Sequence, residues 1–145
     1  MVFAMKGDPI PDQDHISRYC SAMRCTENGQ VTGTAFQLSQ IEKYLSVNWL
    51  EFFHLANRQE EIREVRKVLR LKLGAKAKIA VLNVGETISY VRTRSPDARN
   101  LSMLHEPEED DPSHTGIYGF QYDDRLIADL IAEIVQEIYP AREIE

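Results

Sequence analysis

"KIAVLNVGETISYVRT", residues 78–93, decides how this chain folds. Its first half, 78–84, is aliphatic and β-branched and predicts a strand with both faces covered. Gly85 and Glu86 then offer a reversal. Beyond it Ile88, Tyr90 and Arg92 alternate with Thr87, Ser89, Val91 and Thr93, which predicts a second strand returning beside the first. On that reading the centre of the protein is an antiparallel pair.

Working outward, four more stretches carry strand character: "DHISRYC" (14–20), "VTGTAFQL" (31–38), "NLSML" (100–104) and "HTGIYGF" (114–120). Two helices are expected between and after them. One spans about 58–73. Asn57 stands as N-cap three residues before Glu60, acidic residues fill the first turn and Arg70 and Lys72 the last. Ile62, Val65, Leu69 and Leu73 form one stripe, Val68 widens it, and Gly74 offers a stop. The other spans about 124–139. Asp123 or Asp124 can cap it, its apolar face runs from Leu126 to Ile138, and Pro140 follows. Ser39 and Glu42 suggest a short helix at 40–45. "SVNWLEFFHL" (46–55) fits neither the strand nor the helix period. The order of elements predicts an α+β fold, a mostly antiparallel sheet with two main amphipathic helices.

The totals agree with one domain. The chain has 145 residues, 43% of them hydrophobic and 28% charged, enough to bury a core without staples. Residues 1–12 read as a loose N-terminal segment and 13–145 as the domain. No apolar run could span a bilayer, the first residues lack the apolar centre of a secretory signal, and two cysteines make no disulfide framework. The expected location is cytoplasmic, with no membrane partner. The net charge of −6 makes nucleic acid an unlikely partner. The charge is uneven, however. Residues 58–78 hold eight Lys or Arg against three Glu, while "HEPEEDD" (105–111) is strongly acidic.

The residues that can carry chemistry cluster in "DHISRYC" and "HEPEEDDPSHTG". Arg18 has the planar fork that suits a phosphate or carboxylate. His15 and His114 can exchange protons near neutral pH. Ser17, Tyr19, Ser113 and Thr115 can orient a ligand, as can Glu106 and the strand-flanking Asn48 and Asn83. Strand alternation divides the first cluster: His15, Ser17 and Tyr19 point one way, Arg18 and Cys20 the other. His15 and Arg18 therefore share a site only if the strand is bent or bulged.

Other chemistries fit poorly. Cys20 lies on the opposite strand face from His15, and free cysteines are commonly small buried apolar residues. His15, Cys20 and Cys25 lack a second close ligand pair for zinc. The acidic run lacks calcium-loop spacing. No metal site is expected, and no motif specifies a cofactor. "DHISRYC", "LSVNWLE", "AVLNVGE" and "HEPEEDDPSHTGI" together resemble segments of small bacterial proteins, which implies a bacterial, cytosolic setting and no catalytic motif. Two functions remain open. One is a binding or adaptor module with a polar surface pocket and a protein partner, where segregated charge orients docking. The alternative is an enzyme on a phosphate- or nucleotide-containing substrate, with His15 and His114 as acid and base and Arg18 as clamp, for which an anionic small molecule is the partner.

Overall fold

The computed structural model describes residues 5–69 and 74–142. Its frame is one six-stranded sheet made of β1 (His15–Cys20), β2 (Leu45–Trp49), β3 (Lys78–Asn83), β4 (Ser102–His105), β5 (His114–Tyr118) and β6 (Glu137–Pro140). The strands lie in the order β4-β5-β2-β1-β3-β6, and every pairing is antiparallel. Three helices pack on it: α1 (Arg58–Val68), α2 (Val84–Arg94) and α3 (Arg125–Glu133). The fold is α+β. Among the described residues no helix is long and apolar enough to cross a membrane.

Alternation along the central strands separates two cores. Ile16 and Cys20 of β1, Leu45 and Val47 of β2 and Ala80 and Leu82 of β3 face Val91 of α2, Ile127 and Ile131 of α3, and Phe36 of a short 3-10 turn at Gly33–Phe36. Ile79 and Val81 of β3 face the other way, onto Ile62 and Val65 of α1 and Leu50 of a 3-10 turn at Leu50–Phe53. We call these the α2–α3 face and the α1 face.

The second half of the opening stretch is a helix, not a returning strand. Its alternation of Ile88, Tyr90 and Arg92 coexists with a helical stripe, since Val84, Thr87 and Val91 are the buried positions. Asn83 decides between the two periods. Its side chain accepts the Glu86 N–H at 2.8 Å, an N-cap at the last residue of β3. Thr87 then bonds back to the Asn83 carbonyl at 2.7 Å.

Other boundaries move for comparable reasons. α1 carries the expected Asn57 cap (2.9 Å to Glu60 N) but ends at Val68. The final turn expected for it, residues 70–73, lies outside the described residues. α3 ends at Glu133, and 137–139, expected as the last turn of the helix, pairs with β3 instead, together with Pro140. The β-branched and aromatic residues there satisfy either state, and a free sheet edge settles it. Residues 31–38, expected as a strand, hold the 3-10 turn at Gly33–Phe36. Ser39 and Glu42 bond each other reciprocally (2.7 and 3.3 Å) without starting a helix. The ambiguous 46–55 segment is a strand followed by a 3-10 turn.

Both sheet edges have company. Along β4, Gly7 N–H donates to His105 O (2.7 Å), His105 N–H to Asp8 O (2.8 Å) and Ile10 N–H to Met103 O (2.9 Å), and Ile10 is buried. Beside β6, the Arg66 guanidinium donates to the carbonyls of Pro140 (2.7 Å) and Ala141 (3.2 Å).

Candidate functional site

β1 pairs with β3 in unbroken register from His15 opposite Asn83 to Cys20 opposite Lys78. No bulge interrupts it, so the alternation read from the sequence holds. His15, Ser17 and Tyr19 lie on the α1 face and Arg18 on the α2–α3 face. There Arg18 Nε donates to Ala35 O (2.9 Å) and Nη1 to Ser46 O (2.8 Å), and burial lowers its pKa. Its fork fastens the 31–38 turn to β2 and faces away from both His15 and His114. Cys20 is likewise inert, its thiol pushed up to about 12 by burial.

His15 heads a chain of polar contacts beneath α1. Its Nδ1 is 2.7 Å from Glu51 Oε2, and its backbone N–H donates to Glu51 Oε1 at 2.7 Å. Arg58 Nη1 is 2.6 Å from Glu61 and 3.9 Å from Glu51, and its Nε is 3.2 Å from Glu137. Tyr139 donates its hydroxyl to Glu137 at 2.5 Å, and burial, then that carboxylate, pushes the phenol up to about 12. Burial also raises the carboxyl of Glu61 against the pull of Arg58. Next to His15, Asp14 accepts the Trp49 indole N–H (2.9 Å), and burial raises its carboxyl. This chain ties α1, the Leu50–Phe53 turn and β6 to β1.

His114 shares the α1 face. Ser17 lies opposite Asn48, and Asn48 opposite His114. Two strand spacings plus two residues along the strand put the His15 and His114 Cα atoms roughly 12 Å apart. Each imidazole has its own anchor. His114 Nδ1 is 2.8 Å from Glu106 O, so it carries the ring proton in the neutral form and leaves Nε2 an acceptor with no bonded partner among the described residues. The structure therefore does not gather His15, Arg18 and His114 at one point.

It does gather another set. α1 covers the β1–β3–β6 side of this face. Over β2 and β5 the covering comes from Tyr44, across Gly116, and from the loop that follows β4. Asn48 pins that loop, with Nδ2 2.9 and 2.8 Å from the two Asp111 carboxylate oxygens and 2.8 Å from Ser113 Oγ. Ser113 Oγ also donates to Asp111 at 2.8 Å. Ser17 Oγ is buried beside this cluster with no partner among the described residues. Tyr44 lies across Gly116, which has no side chain to obstruct it. A β-carbon there would fall 2.4 Å from Tyr44 Cδ1. The Tyr44 ring meets Tyr118 at 5.0 Å and the edge of His114 at 5.8 Å. Burial raises both phenols, and the nearby Glu106 carboxylate raises them further, joined at Tyr44 by Glu108. Glu108 stands 4.0 Å from His114 Nδ1. Among the described residues no Lys or Arg pairs with Glu106 or Glu108.

The remaining sequence candidates have structural employment. Asn83 caps α2 and donates to Asp14 O (3.2 Å). The Tyr19 hydroxyl accepts from Gly74 N (3.2 Å). Thr115 lies on the α2–α3 face and bonds its hydroxyl to Ser113 O (3.1 Å). His105, between Trp49 and Phe52, is 2.8 Å through Nε2 from Pro112 O. On the basic α1, Lys67 pairs with Glu64 and Arg66 is bonded to β6. Among the described residues no group of three His, Cys, Asp or Glu is placed to hold a metal ion. Tyr44 and Tyr118 were absent from the sequence candidates. No local motif marks them, and only the β2–β5 register, Ser46 opposite Gly116, makes them neighbours.

This surface can receive a cation: it presents two half-exposed phenol rings, unneutralised carboxylates and a ring acceptor. No protein-family model, curated protein or solved structure matches the chain.

Proposed function

We propose that this protein is a binding module that docks a protein partner through the surface over β2, β5 and β4, where Tyr44, Tyr118, Glu106 and Glu108 receive a lysine or arginine side chain. One observation carries the reading: two packed phenols stand beside two carboxylates that no Lys or Arg among the described residues neutralises. Flat aromatic faces and carboxylates together favour ammonium or guanidinium over neutral or anionic groups. Loop 105–113 adds Glu109 and Asp110, so the field extends beyond the pocket and orients a basic partner on approach. The module acts in the cytoplasm, a reading supported by two unpaired cysteines.

The His acid–base alternative has less support, because Arg18 spends its donors on Ala35 and Ser46 on the opposite face. The test is isolation of the chain from its native host, followed by the double substitution Glu106→Gln, Glu108→Gln. A stoichiometric partner should be recovered with the unmodified chain and lost with the double variant. Glu27→Gln, in the turn after the first strand, should retain it. Repeated recovery of the chain alone, or a partner held equally by all three proteins, would overturn the proposal.

A further inference from the structure

The β1–β3 ladder ends at Cys20 opposite Lys78. Beyond that rung the two segments part. One continues through a 3-10 turn at Ala22–Arg24 into a reversal closed by the Cys25–Val31 bridge. The other reaches Lys78 from the turn at 74–77. Between them is a hollow of about 610 Å³ whose lining includes Cys25, Glu27, Gly29, Lys76 and Lys78. Small-molecule sites commonly span ~300–1,000 Å³.

The charge in this hollow is unusual for the molecule. Among the described residues the half-buried cations are Arg18, Arg58, Arg66, Arg99 and Lys78. Arg18 and Arg66 are bonded to carbonyls, and Arg58 and Arg99 to carboxylates. The Lys78 side chain alone of these makes neither a hydrogen bond nor an ion pair among the described residues. Its ammonium is accommodated by a glycine. Cε and Nζ lie 3.3 and 3.7 Å from where a β-carbon of Gly29 would stand, and Gly29 has a φ of 79°. Lys76 adds a second ammonium to the lining. Glu27, the carboxylate there, pairs with neither lysine. A half-buried lysine whose side chain has no anionic partner among the described residues, set in a concavity, can take an anion from outside.

We propose that this hollow binds the phosphate group of a small phosphorylated molecule, with Lys78 as the principal contact and Lys76 as the second. An ammonium is a compact point charge that engages phosphate oxygens from many directions. Two of them against one Glu leave the lining net positive. The site is separate from the acidic surface over β2, β5 and β4, so either proposal stands without the other.

The full chain is titrated by calorimetry at low ionic strength with inorganic phosphate, pyrophosphate and ATP, and alkylation of Cys25 by iodoacetamide is timed in parallel. Cys25 lines the hollow and Cys20 is fully buried, so the first alkylation reports on the site. Saturable binding is expected for at least one of the three ligands, together with slower alkylation of Cys25 when it is bound. Lys78→Met, which keeps the aliphatic stem, should weaken that binding by about tenfold or more. Lys76→Met should weaken it less, and Lys67→Met, outside the lining, not at all. Absence of saturable binding to all three ligands, binding that Lys78→Met leaves unchanged, or binding without protection of Cys25 would each overturn the proposal. If ATP binds and the two inorganic anions do not, a nucleotide rather than free phosphate is the ligand.

Discussion

Replacing Gly116 by alanine tests how the aromatic surface is built. Gly116 lies in β5 between Ser46 of β2 and Leu104 of β4 and is not among the residues with positive φ. Alanine therefore meets no backbone strain there, and only space matters. The new methyl would stand 2.4 and 2.7 Å from Tyr44 Cδ1 and Cγ and 3.0 Å from Tyr118 Cε1. Carbon atoms prefer roughly 3.5–4.0 Å, so the Tyr44 ring must retreat by about 1 Å or more. Overpacking of this kind costs about 1–3 kcal/mol. Tyr44 is half-exposed and can yield toward solvent, which favours the lower part, about 1–2 kcal/mol, and a fall in Tm of roughly 3–8 °C for a chain of this size. Urea denaturation of the unmodified chain, Gly116→Ala, Tyr44→Ala and the double variant completes a cycle. With Tyr44 truncated the methyl has room, so the second substitution should cost less than about 0.5 kcal/mol, leaving a coupling near 1 kcal/mol. Additive effects would show that Tyr44 does not lie across Gly116.

Arg18→Met should cost about 2–3 kcal/mol in urea denaturation, because the carbonyls of Ala35 and Ser46 lose charge-assisted donors. An unchanged midpoint would return Arg18 to the list of functional candidates. Asn83→Ala should cost about 1 kcal/mol through loss of the α2 cap, with a matching drop in helical circular dichroism; no change in either would refute the cap. The Arg99 guanidinium, at 2.8 Å, holds the Asp124 carboxyl below its ordinary value. The folded state thus binds that proton more weakly than the unfolded chain. Its contribution is present above about pH 3.9 and is lost as pH falls through the lower folded value. Asp124→Asn should flatten the Tm–pH curve below about pH 4, and parallel curves for the two proteins would refute the linkage.

The legible parts of the fold are those where a local signal has one reading. Asn57 and Glu60 announce α1, and 78–83 has the composition of a covered strand. Residues 84–94 and 137–139 satisfy both periods, and features beyond periodicity decide them: the Asn83 cap for the first, an open edge of β3 for the second. The spacing of Asn83 and Glu86 was a usable signal for α2, because a cap residue followed three positions later by Glu marks a helix start. At the candidate site, alternation alone separates Arg18 from His15, and that division was legible. The grouping of Asn48 with Asp111 and Ser113, and of Tyr44 with Tyr118, depends on pairing between segments some 65 residues apart, as in Asn48 to Ser113. A single sequence holds no local trace of that distance.

The segment along β4 limits how a partner can approach. Gly7, Asp8 and Ile10 occupy backbone groups on the outer side of that strand, which borders the acidic aromatic surface. A partner cannot add a strand there, the route by which extended peptides gain affinity from main-chain bonds. What remains is recognition by side chains: a helix or loop that presents its basic residues to the face of the sheet. Such contacts weaken as ionic strength rises, whereas main-chain pairing is far less sensitive to salt. The same few residues that close the sheet would thereby choose the kind of grip the proposed partner uses.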